Sequence, residues 1–430
     1  MTVLEKLINI WDGVEYPFLI HTKKKLNFND ISSQNPIDLS EIKQGDVVAL
    51  IGDFDPDSIL TLLRLIDLGA VIVPLTKDTA EQHEYFFESA LVDFIIKDLK
   101  VIKRSHKAEN MILEELRDKK RPGLVLFSTG TTGRPKAILH DLTHFLKRFE
   151  TPRPTLKTIN FLLFDHIGGL NTLLHTLFNK GTVVAPKDRT IDSILETCAK
   201  NDVEVLPTTP TFLRMMLLSG LVPHAIPDSL KIITYGTERM DKITLNKLCK
   251  LLPNIDFRQT FGMSELGILR VKSKSRDSLY MKVGGEGVET KVVDGILYIR
   301  SSTKMMGYLN AESPFDKDGW YNTNDVVDEK DGYYKVTGRI GDVINVAGLK
   351  FMASEVELVA MAYENVLNVK VISKDNPLTG QHVEIEVQPS NDKFNLQGFK
   401  NYLNKSLQSH MVPKRIKIKQ INMGHRFKKL

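Results

Sequence analysis

Residues 126–140 of the chain read Leu-Phe-Ser-Thr-Gly-Thr-Thr-Gly-Arg-Pro-Lys-Ala-Ile-Leu-His. The apolar run that ends at Phe127 predicts a buried strand, and a run of small or hydroxyl-bearing residues follows it. Glycines allow backbone amides to close around an anion, hydroxyls add hydrogen-bond donors, and a lysine adds a fixed positive charge. The stretch therefore predicts a phosphate-binding loop, with a polar surface turn as the alternative. Its candidate binding residues are Ser128, Thr129, Gly130, Thr131, Thr132, Gly133 and Lys136.

This loop differs from the common P-loop of nucleotide hydrolases, because Pro135 precedes Lys136 where the pattern G-x-x-x-x-G-K-S/T requires a glycine. The stretch resembles the signature loop of the adenylate-forming superfamily. That superfamily contains acyl-CoA synthetases, the adenylation domains of nonribosomal peptide synthetases and beetle luciferases. Its members carry further motifs in a fixed order, so the rest of the chain can test the resemblance.

Composition limits the class of protein. Of the 430 residues, 42% are hydrophobic and 26% are charged, which is typical of a soluble globular protein with two or more cores. The net charge of +5 is small, and the basic C-terminal tail lacks interleaved aromatic residues, so we expect no nucleic-acid binding. Cys198 and Cys249 stand far apart without histidines at metal-ligand spacing, which argues against a disulfide framework or a zinc site.

The N-terminus and the apolar windows predict a cytoplasmic protein. The first residues include the charged pair Glu5 and Lys6 and do not form a secretory signal. The most apolar window, residues 59–75, is interrupted by Arg64 and Asp67. We therefore expect no membrane span.

Strand and helix patterns predict two α/β regions. Residues 47–51 read as a buried strand, a helix capped by Asp57 or Ser58 follows, and residues 71–73 read as the next strand. This order implies a right-handed βαβ unit in a mainly parallel sheet. A second α/β region is indicated by strands at 182–184, 203–206 and 232–234 and by helices at 191–200 and 210–219.

The C-terminal half adds β structure and a small separate unit. Residues 294–300 and 332–336 read as antiparallel strands, and Ser354 with Glu357 forms the S-x-x-E capping box of a later helix. The predicted fold class is α/β. It has a large N-terminal domain of two α/β subdomains plus a β layer, with the first subdomain trimmed, and a small mobile α+β domain. The predicted domains are residues 1–339 and 340–430.

Residues 261–265, Phe-Gly-Met-Ser-Glu, match the superfamily pattern aromatic-Gly-x-Thr/Ser-Glu. The resemblance implies that Phe261 stacks near the adenine of ATP, that Ser264 contacts the α-phosphate, and that Glu265 holds Mg²⁺ on the triphosphate. Mg²⁺ prefers one or two carboxylates together with phosphate oxygens. Residues 235–238 resemble the loop that lines the adenine and acyl sites. The nucleotide contacts implied by resemblance are Tyr235, Gly236, Thr237, Phe261, Gly262 and Ser264.

Residues 320–325 and 338–342 resemble the superfamily segments that hold the ribose, through Asp325 and Arg339. Asn324 stands where a glycine is usual, and asparagine tolerates a left-handed backbone well. Gly341 occupies the hinge about which the small domain swivels, which a glycine permits. Residues 346–350, with Gly348, resemble the loop that lines the thiol tunnel after rotation.

Residues 164–169, Phe-Asp-His-Ile-Gly-Gly, resemble the segment that borders the acyl pocket in the CoA-ligase branch. A single histidine is often structural, but the resemblance assigns His166 to substrate binding together with Gly236, Met263 and Gly348. If Asp165 points into the pocket instead, it can pair with an α-ammonium group. Amino-acid activation is then the alternative function.

The resemblance implies that the last residues supply a catalytic lysine that bridges the α-phosphate and the acyl carboxylate, although the usual Gly-Lys pair of the superfamily is missing here. Counting forward from residues 421 and 422 reaches Lys428, whereas the local cation pattern reaches Arg426. Lys428 is favoured because a compact ammonium can contact two oxygens from different groups. The alternative is a frayed basic terminus without a catalytic part.

The predicted function is ATP-dependent activation of a small-molecule carboxylic acid. Pyrophosphate leaves, and the acyl-adenylate then reacts with the thiol of CoA or of phosphopantetheine on an acyl or peptidyl carrier protein. Lys136 and Glu265 are the predicted catalytic residues besides the tail. A nucleotide-binding module that has lost catalysis is a further alternative, and the retention of Lys136, Glu265, Asp325 and Arg339 argues against it.

Overall fold

The computed structural model describes residues 2–22, 24–34, 37–104, 109–128 and 134–421, without the side chains of residues 31 and 32. Part of the predicted phosphate loop and the C-terminal tail lie outside this part of the chain. The roles of Thr129, Gly130, Thr131, Thr132, Gly133, Arg426 and Lys428 therefore stay predictions. Within the described ranges, no helix is long and apolar enough to cross a membrane.

Residues 3–141 build most of a first sheet. Their elements are α1 (Val3–Trp11), β1 (Leu19–His21), β2 (Lys24–Leu26), α2 (Phe28–Ser32), β3 (Val47–Ile51), α3 (Pro56–Asp67), β4 (Val71–Leu75), α4 (His83–Ser89), β5 (Phe94–Lys97), β6 (Lys100–Lys103), α5 (Met111–Asp118), β7 (Gly123–Phe127) and β8 (Ala137–Asp141). The sheet order is β8-β7-β4-β3-β5-β6, with β3, β4, β5 and β7 parallel. Leu50 and Ile72 face one apolar core and Val47 and Val71 face another, as in parallel sheets covered on both faces.

The predicted βαβ unit is confirmed, with one correction at the start of its helix. Strand β3 has the predicted bounds and pairs in parallel with β4. Helix α3 begins at Pro56 and is capped by Asp55, not by Asp57 or Ser58, because the Asp55 carboxylate accepts the Ser58 amide at 3.0 Å. Proline is favoured at the first helical position, where its missing N–H has no partner inside the helix.

Residues 142–259 build the second α/β region around another sheet. Their elements are α6 (Leu142–Lys147), β9 (Thr158–Ile159), α7 (Ile167–Phe178), β10 (Val183–Ala185), α8 (Ile191–Lys200), β11 (Val205–Thr208), α9 (Pro210–Leu218), β12 (Ile232–Tyr235), α10 (Lys242–Leu251) and β13 (Asp256–Gln259). The sheet order is β13-β12-β11-β9-β10-β1-β2, so the N-terminal strand β1, which the sequence analysis did not predict, pairs with β10. The parallel strands β9 to β13 confirm a second subdomain.

Residues 261–339 form the predicted β layer as an antiparallel sheet. Their strands are β14 (Phe261–Met263), β15 (Gly267–Ser273), β16 (Met281–Gly284), β17 (Val288–Val293), β18 (Ile296–Ser301), β19 (Gly307–Tyr308), β20 (Tyr321–Lys330) and β21 (Tyr333–Arg339). The sheet order is β14-β15-β16-β21-β20-β18-β17. Strand β19 leaves this layer and pairs with β8 of the first sheet, which ties the two regions together.

Residues 343–418 form a fourth sheet with its own apolar core. Their elements are β22 (Val343–Val346), β23 (Leu349–Met352), α11 (Ala353–Met361), β24 (Val366–Asn376), β25 (Gly380–Pro389), α12 (Leu396–Ser406) and β26 (Arg415–Ile418). The predicted capping box of Ser354 and Glu357 is wrong. Helix α11 begins at Ala353, two residues before the start that this box implies, and the Glu355 carboxylate accepts the Met352 amide at 2.9 Å instead. The proposed division between residues 339 and 340 stays a prediction.

Candidate functional site

The two ends of the predicted phosphate loop are fixed to each other. Strands β7 and β8 pair in antiparallel fashion up to Phe127 opposite Ala137. Beyond this pair, the Ser128 amide donates to the Lys136 carbonyl at 3.1 Å, and the Lys136 amide donates to the Ser128 hydroxyl at 3.0 Å. The Lys136 ammonium lies 4.8 Å from the ring centroid of Tyr308. The loop therefore connects two strands of a hairpin, and Lys136 stands at its base.

Four residues near Lys136 form a hydrogen-bonded group that we call the floor: His140, Ser264, Glu265 and Tyr308. The His140 Nε2–H donates to the Ser264 carbonyl at 2.6 Å, and the Tyr308 hydroxyl donates to Glu265 Oε1 at 2.8 Å. The Glu265 carbonyl in turn accepts the amide of Met305 at 2.8 Å. Strand β8 thus fixes the backbone at Ser264, and Tyr308 of β19 fixes the Glu265 carboxylate.

Burial sets the protonation states of the floor. It lowers the pKa of His140 from its ordinary value of 6.5 to about 4, although the Ser264 carbonyl opposes the shift. It also raises the pKa of the Tyr308 hydroxyl, and the nearby Glu265 carboxylate raises it further. At neutral pH, both side chains are therefore uncharged hydrogen-bond donors.

A main cavity of about 600 Å³ opens above the floor. This size is in the range of small-molecule and cofactor sites. The predicted site residues that line it are Ser128, Lys136, His166, Thr237, Gly262, Met263, Ser264, Glu265 and Arg339. Residues from five of the predicted motifs thus border a single space.

A side cavity of about 380 Å³ adjoins the main cavity. The predicted residues Phe261 and Asp325 line it, and Ser354 and Glu357 of α11 close it from the C-terminal side. The residues common to both walls are Thr237, Thr260, Gly262, Met263 and Arg339. The two cavities are therefore neighbouring compartments with one shared wall.

Asp325 and Arg339 form an ion pair at the shared wall. They are directly opposite each other in the β20–β21 ladder, and Arg339 Nε donates to Asp325 Oδ1 at 3.1 Å. Asp325 is buried, and this burial raises the pKa of its carboxyl group despite the opposing charge of Arg339. The preceding Asn324 has φ 58°, so the predicted left-handed turn is confirmed.

Close packing against Thr260 explains why residue 236 is a glycine. A Cβ atom on Gly236 would lie 2.1 Å from Thr260 Oγ1. Thr237 itself has φ 68°, a left-handed conformation that costs a β-branched residue about 1–3 kcal/mol. The chain holds this strained threonine at the junction of the two cavities.

His166 and Asp165 are separated by the structure. His166 caps α7, because its Nδ1 accepts the Gly168 amide at 3.0 Å, which leaves the ring proton on Nε2. His166 lines the main cavity, whereas buried Asp165 is absent from the described walls of both cavities. The charge of Asp165 acts on His83 instead, whose pKa it raises against the larger lowering effect of burial. Asp165 therefore supplies no carboxylate to the described cavity walls, where the amino-acid alternative would need it to pair with an α-ammonium group.

Three further predicted residues, Tyr235, Gly236 and Gly348, are absent from the described walls in this conformation. The Tyr235 side chain is buried in the core of the second subdomain. Gly348 is exposed in the β22–β23 turn, where Ala347 and Gly348 have φ 52° and 86°. Two successive residues with positive φ are typical of a tight hairpin turn.

The sequence analysis overlooked a contact that we call the seam, formed by Arg239, Thr337 and Ser354. Arg239 Nη1 donates to the Thr337 carbonyl at 2.9 Å, and its Nη2 donates to the Ser354 carbonyl at 3.3 Å. The Ser354 hydroxyl also donates to the Thr337 carbonyl at 2.9 Å. The seam joins the loop after β12 to the first turn of α11.

His140 and Tyr308 were also overlooked as site residues. His140 ends the opening motif at residues 126–140, and Tyr308 follows Gly307 in a two-residue strand. Neither residue carries a local signal of its role. Only their contacts across the fold reveal that they support Glu265.

Comparisons with known proteins agree with this geometry. The profile of the AMP-binding enzyme family matches residues 38–309. A 2-succinylbenzoate–CoA ligase of Listeria innocua is 25% identical over 414 residues, which cover 88% of this chain and 85% of that protein. A 4-coumarate-CoA ligase of Narcissus pseudonarcissus is 25% identical over 318 residues, 65% of this chain, and the match spans only 58% of that protein's length.

A similar fold occurs in a solved structure of an o-succinylbenzoate CoA synthetase from Bacillus subtilis in complex with its acyl-adenylate intermediate. The two structures share a TM-score of 0.79 at 16% sequence identity. The similarity covers 99% of this chain and 96% of that one. It shows a common architecture, including both α/β regions, the β layer and the C-terminal sheet.

Proposed function

Because the chain belongs to the AMP-binding enzyme family, we propose that it activates a carboxylic acid with ATP and transfers the acyl group to a thiol. The shared wall of the two cavities carries this proposal. The side cavity has an aromatic residue, Phe261, and the Asp325–Arg339 pair, which suit a nucleoside. The main cavity has Lys136 and Glu265 at one end and room for an acid beyond them. The α-phosphorus would lie between the acid and the nucleoside.

The proposed chemistry has two steps. In the first, a carboxylate oxygen of the acid attacks the α-phosphorus of ATP in line, the bond to the β-phosphate oxygen breaks, and pyrophosphate leaves. In the second, a thiol sulfur attacks the acyl carbonyl, its proton is lost, and AMP leaves with the electron pair of the acyl–oxygen bond. Positioning and charge neutralisation provide most of the catalysis in such a reaction.

The floor residues suit the charge of the first step. Lys136 would neutralise the leaving phosphates, and the Ser264 hydroxyl would contact the α-phosphate. The Glu265 carboxylate accepts the Tyr308 hydroxyl through Oε1 and would also bind a cation. A Mg²⁺ ion held by Glu265 and phosphate oxygens would supply further neutralisation. Among the described residues, no group of three or more His, Cys, Asp or Glu could hold a metal ion.

The acceptor would be CoA or the phosphopantetheine of an acyl or peptidyl carrier protein. In the present conformation, the turn at Gly348 stands away from both described cavity walls. The proposed rotation of residues 340–430 about Gly341 would bring residues 346–350 to the main cavity for the second step. A Cβ on Gly341 would meet no atom within 4 Å, so its surroundings leave room for such a movement.

The test is to identify the products and their dependence on an acid. Purified protein with Mg²⁺, ATP and a panel of carboxylic acids should release AMP and pyrophosphate, and omission of the acid should stop the release. Release of ADP and orthophosphate would contradict the mechanism. Once an active acid is known, thioester formation is compared between CoA and a phosphopantetheinylated carrier protein, which identifies the acceptor.

A further inference from the structure

The main cavity continues past the floor as a slot between α7 and the second sheet. Its helix side consists of Asn171, Thr172 and His175 on α7. Its sheet side presents the apolar residues Val205, Pro207 and Ile232 on β11 and β12, with Thr158 and Thr234 on the same sheet. Gly168 stands at the floor end of this stretch of α7 and Asn179 at the far end. Asn179 lies eleven positions after Gly168, so the slot is roughly 16 Å long at the rise of an α-helix.

Regular spacing explains which side chains face the slot. Asn171 and His175 are four residues apart and Thr172 lies beside them, so the three share one face of the helix. The opposite face packs its leucines into the first core: Leu170, Leu173, Leu174 and Leu177. On the sheet, Val205 and Pro207 alternate with the buried Leu206, which faces the second core. The side chains that border the slot therefore follow from the regular geometry of both the helix and the sheet.

The helix side of the slot is polar but uncharged. Burial lowers the pKa of the His175 imidazole, and the positive charge of Arg153 lowers it further, so this ring is neutral at pH 7. The Thr172 hydroxyl donates to the Gly168 carbonyl at 2.8 Å and retains its capacity to accept. The side chains of Asn171 and His175 have no hydrogen-bond partner in the described part of the chain. These two side chains can therefore bond a ligand.

The charged residues of the wall limit the ligand further. Glu265 is the sole carboxylate among the described residues of the main-cavity wall, and the proposed chemistry uses it. An ammonium group in the slot would thus have no anionic partner. Arg258 borders the cavity from β13, where its Nε donates to the Asp256 carboxylate at 2.6 Å and the pair partly neutralises its charge. A neutral hydrogen-bonding group is the best match for the slot.

We propose that the acid has an extended tail with neutral hydroxyl or carbonyl groups along one side. These groups would bond Asn171, Thr172 and His175, while the other side of the tail would pack on Val205 and Ile232. This inference rests on the proposed function, since it concerns the acid that this function activates. A plain hydrocarbon tail would leave buried polar groups unpaired, and sites built to bond a hydroxyl discriminate strongly against analogues without it.

The experiment compares acids of equal length in ATP–pyrophosphate exchange. The pairs are octanoic acid with its terminal hydroxy derivative, and phenylpropanoic acid with its para-hydroxy derivative. Their α-amino derivatives test the amino-acid alternative. The hydroxylated acid of at least one pair should have a kcat/KM at least about tenfold higher than its parent. A parent acid that is equal or better in both pairs, or a preference for the amino acids, would overturn the proposal.

Variants assign the selectivity to the slot. Asn171→Leu and His175→Leu should each shift the preference toward the plain acid by about tenfold. Asn246→Leu is the matched control, because Asn246 is an exposed helical asparagine on α10, and it should leave the preference unchanged. Slot variants that behave like this control would also contradict the proposal.

Calorimetric binding of the same acids without ATP separates the two hypotheses. Selective binding of hydroxylated acids that the slot variants remove, without any pyrophosphate exchange, would support the slot and contradict the proposed function. Exchange that favours plain acids would support the proposed function and contradict the slot.

Discussion

The floor and the seam are both held by hydrogen bonds to backbone carbonyls or carboxylates, but they differ in what they join. In the floor, His140 reaches Ser264 and Tyr308 reaches Glu265, and three of these four residues are buried. In the seam, half-buried Arg239 reaches the start of α11, in the part of the chain proposed to rotate.

This difference indicates that the floor and the seam have different roles in the proposed reaction. A floor whose donors are fixed before substrate arrives needs no reorganisation during the reaction, which makes its electrostatic contribution large. A seam of a few hydrogen bonds at a cavity edge can break and form again at small cost, which suits a moving element. We therefore expect changes in the floor to affect the chemical step or folding, and changes in the seam to affect the balance between the two half-reactions.

The largest effect is expected at Glu265. Glu265→Gln keeps the size of the side chain and an acceptor for Tyr308 but removes the charge that would hold Mg²⁺. Loss of one preorganised charge contact should lower kcat by about 100-fold or more. Steady-state pyrophosphate release measures this, with the free energy of unfolding as the control for folding. A variant with nearly full kcat would show that Glu265 is only structural.

A similar loss, confined to one half-reaction, is expected from the tail. If Lys428 bridges the α-phosphate and the carboxylate, Lys428→Ala should slow adenylation by about 100-fold but spare thioester formation from supplied acyl-adenylate. Arg426→Ala is the matched control. Selective loss in the arginine variant alone would assign the role to Arg426, and loss in neither would leave the tail without a catalytic part.

The floor should also make folding sensitive to acid. The unfolded chain binds a proton at His140 near pH 6.5, whereas the folded chain binds it only near pH 4. The free energy of unfolding should therefore fall as the pH drops from about 6.5 to about 4, by up to about 3 kcal/mol from this residue. Denaturant unfolding across this range measures the slope.

His140→Gln is the control for that slope, since glutamine can still donate to the Ser264 carbonyl but does not titrate. The variant should show a shallower decline than the unmodified protein. Other histidines with a lowered pKa, such as His175, titrate in both proteins and cancel in the difference. Identical slopes would mean that His140 is accessible to protons in the folded state.

A substitution in the seam should have a smaller effect than one in the floor, and it should change the ratio of the two half-reactions. Arg239→Ala removes both hydrogen bonds to Thr337 and Ser354, so the orientation of α11 seen here should become less populated. The ratio of the adenylation rate to the thioester-forming rate should change by about tenfold, which corresponds to about 1.4 kcal/mol in a two-state equilibrium. The ratio is measured with pyrophosphate exchange and with supplied acyl-adenylate.

Arg214→Ala is the matched control for the seam. Arg214 Nη2 pairs with Asp241 at 2.8 Å, and both residues belong to the second α/β region and its flanking loop. Its loss should reduce stability but leave the ratio of the two rates unchanged. Equal changes of the ratio in both variants would assign the effect to general loosening of the loop.

Much of the fold was predictable because its signals are local. The bounds of β3 and α8 follow from apolar patterns within a few residues, and the prediction matched both. Strand β1 was missed because its partner β10 lies more than 160 residues away in the chain. The pairing is not indicated by any local pattern near Leu19. The cap of α3 was misplaced because three polar residues, Asp55, Asp57 and Ser58, compete within four positions.

The site was predictable in part for the same reason. Motif residues such as Lys136 and Glu265 line one cavity, although their roles stay proposals. Tyr308 and His140 act through contacts 43 and 124 residues away, which no spacing rule reveals. The burial of Tyr235 follows from the alternation of side chains along a strand. Thr234, the residue before it, faces the cavity, so the Tyr235 side chain points to the opposite face of the sheet.

The smallest effect is expected at Thr237, where the two cavities meet. Its left-handed backbone costs about 1–3 kcal/mol with a β-branched side chain, and glycine would remove this strain at an entropic cost of about 0.5–1 kcal/mol in the unfolded chain. Thr237→Gly should therefore raise the free energy of unfolding by about 1 kcal/mol. At the same time, the loss of a fixed wall should raise the KM for ATP a few-fold.

Thr237→Ser separates the two contributions, because serine keeps the hydroxyl and a Cβ but lacks the branch that crowds the backbone. It should show most of the native KM and only part of the gain in stability. Denaturant unfolding gives the stability, and initial rates at varied ATP give the KM. If the glycine variant is less stable than the native chain, the strain is absent. If its KM for ATP is unchanged, the wall between the cavities does not depend on this residue, and the pairing of Asp325 with Arg339 alone would have to position the nucleoside.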